Sequence, residues 1–235
     1  MSKKFILFLV EGKNDEREIG AILHTPVFDR FRDKYQPIIL PNGGDITMSP
    51  NSIQGKLNNQ LLSFRKSGVP FHNIRVDEIQ EFVQIVDTDG VFIPSENVVR
   101  GGSSSFLYTD TTIITTNDCG AVGRNRKKAE ILRTLSTIDQ VGNVPYSVYY
   151  ASCNMDHVLF GNRNPPPNVK TGCSWGFVEK CASDPSILNE SIFKPGIMAE
   201  GTYADSWSFI QQGCNSLQRH TNFNLFFSEK AKNKK

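Results

Sequence analysis

Along the first two thirds of the chain, unbroken apolar blocks alternate with stretches whose apolar positions recur at helical spacing. Phe5-Ile-Leu-Phe-Leu-Val10 has no polar interruption, the pattern of a strand covered on both faces. A helix is predicted to follow over residues 15–23, and Pro37-Ile-Ile-Leu40 is predicted as a second short strand. Residues 41–50 carry Pro, Asn-Gly-Gly and Asp, which is loop chemistry. Asn51 or Ser52 is placed to cap a helix with apolar positions Ile53, Leu57, Leu61, Leu62 and Phe64. Phe82-Val-Gln-Ile-Val86 gives a third strand, closed by Asp87-Thr-Asp-Gly90. A flexible loop is expected at 101–105, and the Thr-, Ile- and aromatic-rich stretch 106–116 reads as extended. A basic amphipathic helix is predicted over 126–138, then a strand, Tyr146-Ser-Val-Tyr-Tyr150.

Strands alternating with helices over 5–150 predict an α/β fold, a mainly parallel sheet with helices on both faces. The remainder reads as a mostly helical extension, entered through a Pro165-Pro-Pro167 linker and packed on the sheet. Asp205 is the expected cap of one of its helices. Trp175 and Trp207 read as core anchors in preference to base-stacking platforms.

Composition narrows the class. Apolar residues make up 38% and charged residues 21%, an ordinary globular balance and not that of a disordered chain. The first apolar run is far below the roughly 20 residues of a membrane span, and no small-residue cleavage site follows it. The chain is therefore expected to be cytoplasmic, neither membrane-spanning nor secreted. Its net charge of +2 neither requires nor excludes a nucleic-acid partner. Five cysteines with no Cys-x-x-Cys pair argue against a zinc site or a disulfide framework.

In open parallel sheets, ligands bind beyond the carboxyl ends of the strands. The first strand ends in Glu11-Gly12, followed by Lys13-Asn14-Asp15, and the third ends in Asp87-Thr88-Asp89-Gly90. If those strands are neighbours, their carboxylates converge on one sheet edge. Asp87 and Asp89, two apart, share a face on an extended backbone. Like charges gathered this way are costly without a cation among them, and oxygen donors without His or Cys suit Mg²⁺ or Mn²⁺.

The pair Val-Glu11-Gly-Lys-Asn-Asp15 and Val-Asp87-Thr-Asp89-Gly resembles the Toprim domain of topoisomerases, bacterial primases, ribonuclease M5 and OLD/RloB-type nucleases. The resemblance implies a Rossmann-like, four-stranded, mainly parallel sheet flanked by helices. On that reading a Toprim-like catalytic domain covers 1–160 and a helical extension covers 161–235. It also implies Mg²⁺- or Mn²⁺-dependent cleavage of phosphodiester bonds in RNA or DNA. Glu11, Asp87 and Asp89 then map onto the metal ligands, with Glu11 and Asp15 in acid–base roles. Asn154-Met-Asp156-His157 is similar to the stretch after the last Toprim strand of RloB-like proteins, which adds Asp156 to the catalytic set. It favours a phage-defence effector, switched by an ATPase partner, over a ribonuclease M5-like RNA-maturation enzyme or a non-catalytic Toprim binding and assembly module.

Phosphodiester hydrolysis also needs cations. Lys13, Arg124, Lys127 and Lys170 are candidates to meet developing charge. Lys13 and the run Gly123-Arg124-Asn-Arg126-Lys127-Lys128 are candidates to contact phosphates. A nucleotide-binding Rossmann enzyme is disfavoured, because neither Gly-x-Gly-x-x-Gly nor a phosphate-binding Gly-x-x-x-x-Gly-Lys loop is present.

Overall fold

The unbroken apolar run becomes β1 (Lys4–Leu9), an inner strand of a six-stranded sheet. The computed structural model describes residues 3–40, 53–66, 74–102 and 105–232. β1 leads into α1 (Lys13–Leu23), the single turn α2 (Pro26–Asp29), β2 (Tyr35–Ile39) and α3 (Ile53–Lys66). β3 (Ile79–Asp87) follows, then a small separate sheet of β4 (Val98–Arg100), β5 (Leu107–Tyr108) and β6 (Ile113–Thr115). α4 (Asp118–Leu135), β7 (Gln140–Val141), β8 (Val144–Ser152), α5 (Met155–Phe160) and α6 (Pro167–Ser183) come next. The chain closes with α7 (Tyr203–Ile210), β9 (His220–Thr221) and α8 (Phe223–Lys232).

The main sheet runs β2-β1-β3-β8-β7, with β9 also on β8. The four long strands are parallel; β7 and β9 run antiparallel to β8. The fold is thus α/β, as expected, but the sheet is mixed and has six strands in place of four. The two additions are two-residue strands, too short to show a periodicity. Both faces of the sheet are covered. Ile6, Phe8 and Val10 pack with α1, α5, α6 and α8, and Leu7 and Leu9 pack with α3, α4 and α7. Alternate residues of β1 therefore enter opposite cores, which is why its sequence beyond the exposed Lys4 carries no polar residue.

Several boundaries differ from expectation. α4 begins at Asp118, because Asn117 Oδ1 accepts the Gly120 N–H at 3.0 Å and caps a helix that runs on through Gly120 and Gly123. Pro167 opens α6 as its first residue, where a missing N–H costs nothing, so the proline run starts a helix. Thr202, not Asp205, caps α7; Asp205 sits three residues on and accepts the Thr202 N–H in return at 2.9 Å. Trp207 is buried as expected, but Trp175 is exposed. The predicted loop at 41–50 and the caps Asn51 and Ser52 lie outside the described residues. No helix among the described residues is long and apolar enough to cross a membrane.

After β3 the chain turns under the small sheet through two successive left-handed residues, Asp89 at φ +49° and Gly90 at φ +65°. A Cβ on Gly90 would stand 2.4 Å from Leu217 Cδ2 and 3.2 Å from Ile113 Cδ1. Gly90→Ala should therefore lower stability by about 2 kcal/mol, combining left-handed strain with overpacking. Denaturant unfolding checks this; an unchanged midpoint would show that the turn relaxes freely.

Candidate active site

Because β1 and β3 are parallel neighbours, with Leu9 opposite Gln84, their carboxyl ends open on the same sheet edge. Glu11 leaves β1 there, and its Oε1 accepts the Asp87 N–H at 3.2 Å. Asp87, the last residue of β3, accepts the Met155 N–H on Oδ1 at 2.9 Å. β3 has ended before Asp89. The Thr88 and Asp89 N–H groups donate to Ala151 O (3.0 Å) and Cys153 O (2.7 Å), and the left-handed turn swings the Asp89 side chain toward α4. Asp87 and Asp89 thus reach the same edge through a turn, not by strand alternation.

Two cations on α4 meet that turn. Lys128 Nζ lies 2.8 Å from Asp89 Oδ2 and 3.6 Å from Glu11 Oε1, and the lysine side chain is fully buried. Arg124 Nη2 is 2.6 Å from the same Asp89 oxygen, and its guanidinium carbon lies 4.5 Å from the Phe106 ring centroid. The two carboxyls diverge as a result. Burial alone would raise Asp89, but Lys128 and Arg124 outweigh it and hold the group below the usual carboxylate range. Asp87 is pushed well above that range by burial and then by Glu11, Asp15 and Asp89.

A second group forms where α1 meets α6. Asp15 accepts the Gly12 N–H on Oδ2 at 2.7 Å, and burial lifts its carboxyl to about 6 against that hydrogen bond. Asp156 on α5 pairs with Lys170 on α6 at 3.1 Å. Glu18 lies one turn beyond Asp15 and is buried; among the described residues its Oε1 has no hydrogen-bond partner. Its carboxyl is pushed up to about 8 by burial, then by Asp15 and Asp156, with Ser174 opposing. Sequence reasoning missed Glu18. The available signal was its spacing: Glu18 and Ile22 lie on the buried stripe of α1.

Glu11, Asp15, Asp87, Asp89 and Asp156 therefore gather around the ends of β1, β3 and β8. Arg124 and Lys128 are drawn into this cluster as counter-charges, whereas Lys13, Arg126 and Lys127 are exposed. His157 is buried; its Nδ1 accepts the Cys153 N–H at 3.3 Å, and burial lowers the ring to about 4, so it is neutral at pH 7.

The donor set is all oxygen and carries more carboxylates than cations, which suits a hard divalent cation. Among the described residues, no three His, Cys, Asp or Glu side chains are gathered as a finished ligand set. The fit lies in donor chemistry at Glu11 and Asp87, while Asp89 is already engaged by Lys128 and Arg124. The chain matches no protein-family model, no curated protein and no solved structure.

The Glu18 carboxyl sets a pH dependence. It holds its proton to about pH 8 when folded, against 4.5 in a free chain. Between those values unfolding releases a proton, so stability falls as pH rises, by at most about 1.4 kcal/mol per pH unit for this group. Glu18→Gln should flatten that fall and raise the melting temperature above pH 7. Thermal melts across the window check this, and an unchanged slope would show that Glu18 ionises freely in the folded protein.

Proposed function

We propose that the chain is a divalent-metal-dependent phosphodiesterase of the Toprim kind, cleaving RNA or DNA. One observation carries this: Glu11 and Asp87 meet at the carboxyl ends of adjacent parallel strands, joined by the Asp87 N–H on Glu11 Oε1. Asp15 stands by with a carboxyl at about 6, and Asp156 lies on the neighbouring helix.

Glu11 and Asp87 would hold a divalent cation, which would supply charge neutralisation at the phosphate and a more acidic water. The chain's own residues do the rest. Asp15, oriented by the Gly12 N–H, accepts the proton of the attacking water. Lys128 fixes the Glu11 and Asp89 carboxylates in place. Arg124 brings a guanidinium to the same edge to meet developing phosphate charge, and exposed Lys13, Arg126 and Lys127 contact the flanking phosphates. We favour phage defence with an ATPase partner over RNA maturation. The ground is the Asn154-Met-Asp-His157 element, whose Met155 N–H holds Asp87.

A second reading has its own observation. Lys128 and Arg124 already neutralise Asp89, as they would in a non-catalytic Toprim module that binds metal without turnover. Purified protein incubated with mixed RNA, single-stranded DNA and supercoiled plasmid, in Mg²⁺, Mn²⁺ or EDTA, separates the two. Metal-dependent cleavage is expected, reduced roughly a hundredfold or more in Glu11→Gln and in Asp87→Asn, as for loss of an acid–base or metal-ligating group. Cleavage unchanged in both variants would overturn the nuclease reading. A metal-induced rise in melting temperature with no cleavage would establish the binding module.

A further inference from the structure

The two tryptophans occupy opposite environments. Trp207 is 4% exposed, with its ring centroid 5.1 Å from that of Tyr150 in the core beneath α7. Trp175 is 52% exposed on α6, an expensive place for the largest apolar side chain. Its surroundings are nonetheless built. The Arg17 guanidinium carbon lies 5.0 Å from the Trp175 ring centroid, and Arg17 also donates to Asn14 Oδ1. The preceding residue, Ser174, is buried and donates to the Asn14 carbonyl at 3.4 Å. Little more than one turn earlier on α6, Lys170 pairs with Asp156. The ring is therefore mounted on α1 and α6, with Asp15 on the first of these helices and the partner of Asp156 on the second.

The helix surface around the ring is bare. A Cβ added at Gly172 or Gly176 would meet no atom within 4 Å, so no packing within the described residues demands either glycine. Glycine in a helix interior is less favourable than alanine. Here it leaves open space beside an exposed indole. α6 carries Lys170, Lys180 and a single carboxylate, Glu179, so its own charge is net positive. An aromatic ring with a guanidinium on it and bare backbone at its side suits a flat, polyanion-borne ring.

We propose that Trp175, with Arg17, is the stacking platform for an unpaired base of a nucleic-acid strand entering the Glu11–Asp87 site. The proposal rests on the nuclease reading and narrows its substrate to single-stranded segments. Every base has a π-face, so the platform tolerates sequence. A paired base keeps its faces against its neighbours in the duplex and cannot use the platform without being unstacked.

The test measures binding in EDTA, so that no cleavage enters. Fluorescently labelled oligo-U and oligo-dT of about 12 nucleotides, and a blunt duplex of the same length, are titrated into the full chain and followed by anisotropy. Either unpaired strand should bind more tightly than the duplex. Trp175→Ala should weaken the unpaired strand about tenfold or more, the scale of one lost base–aromatic stack. Trp175→Phe, which keeps a ring, should stay within about threefold of the parent on the same scale. The duplex should respond to neither variant. Unchanged oligonucleotide binding in Trp175→Ala would overturn the platform, and so would equal weakening of duplex and single strand. The two readings fail separately. Cleavage lost in Glu11→Gln together with Trp175-independent binding removes the platform and keeps the nuclease. Trp175-dependent binding with no cleavage in Mg²⁺ or Mn²⁺ removes the nuclease and keeps the platform.

Discussion

An ammonium group with no access to water sits at the junction of three distant segments. Lys128 reaches from α4 to Asp89 after β3 and to Glu11 after β1. Burying such a charge costs several kcal/mol, and it persists only where opposite charges and hydrogen bonds answer it. Here two carboxylates do. The obligation is mutual: without Lys128, Asp89 would keep only Arg124, and Glu11 would face Asp87 with less positive charge nearby. The same contact fixes the position of α4 against the sheet, since it joins the helix to the ends of two central strands. Fold and electrostatics at this edge are thus one constraint.

That constraint makes the site asymmetric. On the α4 side, Asp89 is held ionised between a lysine and an arginine. Across the cluster, Asp87, Asp15 and Glu18 all hold their protons more tightly than a free carboxyl. Burial is the first cause in each case, and neighbouring carboxylates add to it. The cluster is short of positive charge on one side only. A cation arriving there would release protons as it bound, which couples its affinity to pH in the direction seen for any carboxylate site.

The part of this that could be read from the sequence is the part with a strong local signal. β1 shows itself because both faces of the sheet are covered, so its apolar run is unbroken. Asp87-Thr-Asp-Gly90 shows itself because a strand must end and turn there, and Gly90 and Asp89 supply left-handed geometry. Lys128 was hidden by its neighbours. In Gly123-Arg-Asn-Arg-Lys-Lys128 it looks like one more solvated cation, yet Ala121, Asn125, Lys128, Leu132 and Leu135 form the buried stripe of α4. Only the correct start of the helix reveals that stripe, and Gly120 and Gly123 mask the start. Asp205 was legible as a capping residue, but the cap position belongs to Thr202, and only the reciprocal hydrogen bonds between the two show it. Glu18 and Trp175 are tertiary outcomes. One is buried and one exposed by how α6 lies on α1, and neither residue type announces that.

The α1–α6 seam draws these threads together. α4 gives two cations to one carboxylate, whereas at the seam Lys170 faces Asp15, Glu18 and Asp156. Asp156 takes the direct contact, and Glu18 is left to a serine that also serves the Asn14 carbonyl. A packed interface seldom tolerates a buried carboxyl so weakly answered, because hydrophobic residues would fill the volume at lower cost. Retaining it next to Asp15 makes sense if this side of the cluster is where positive charge and protons are exchanged. Trp175 is exposed on the same seam, with Arg17 against its ring. The proposed footing for a strand therefore lies on the seam where three carboxyls share Lys170, whereas the α4 side, with Asp89 held between two cations, is the one the fold uses to hold itself together.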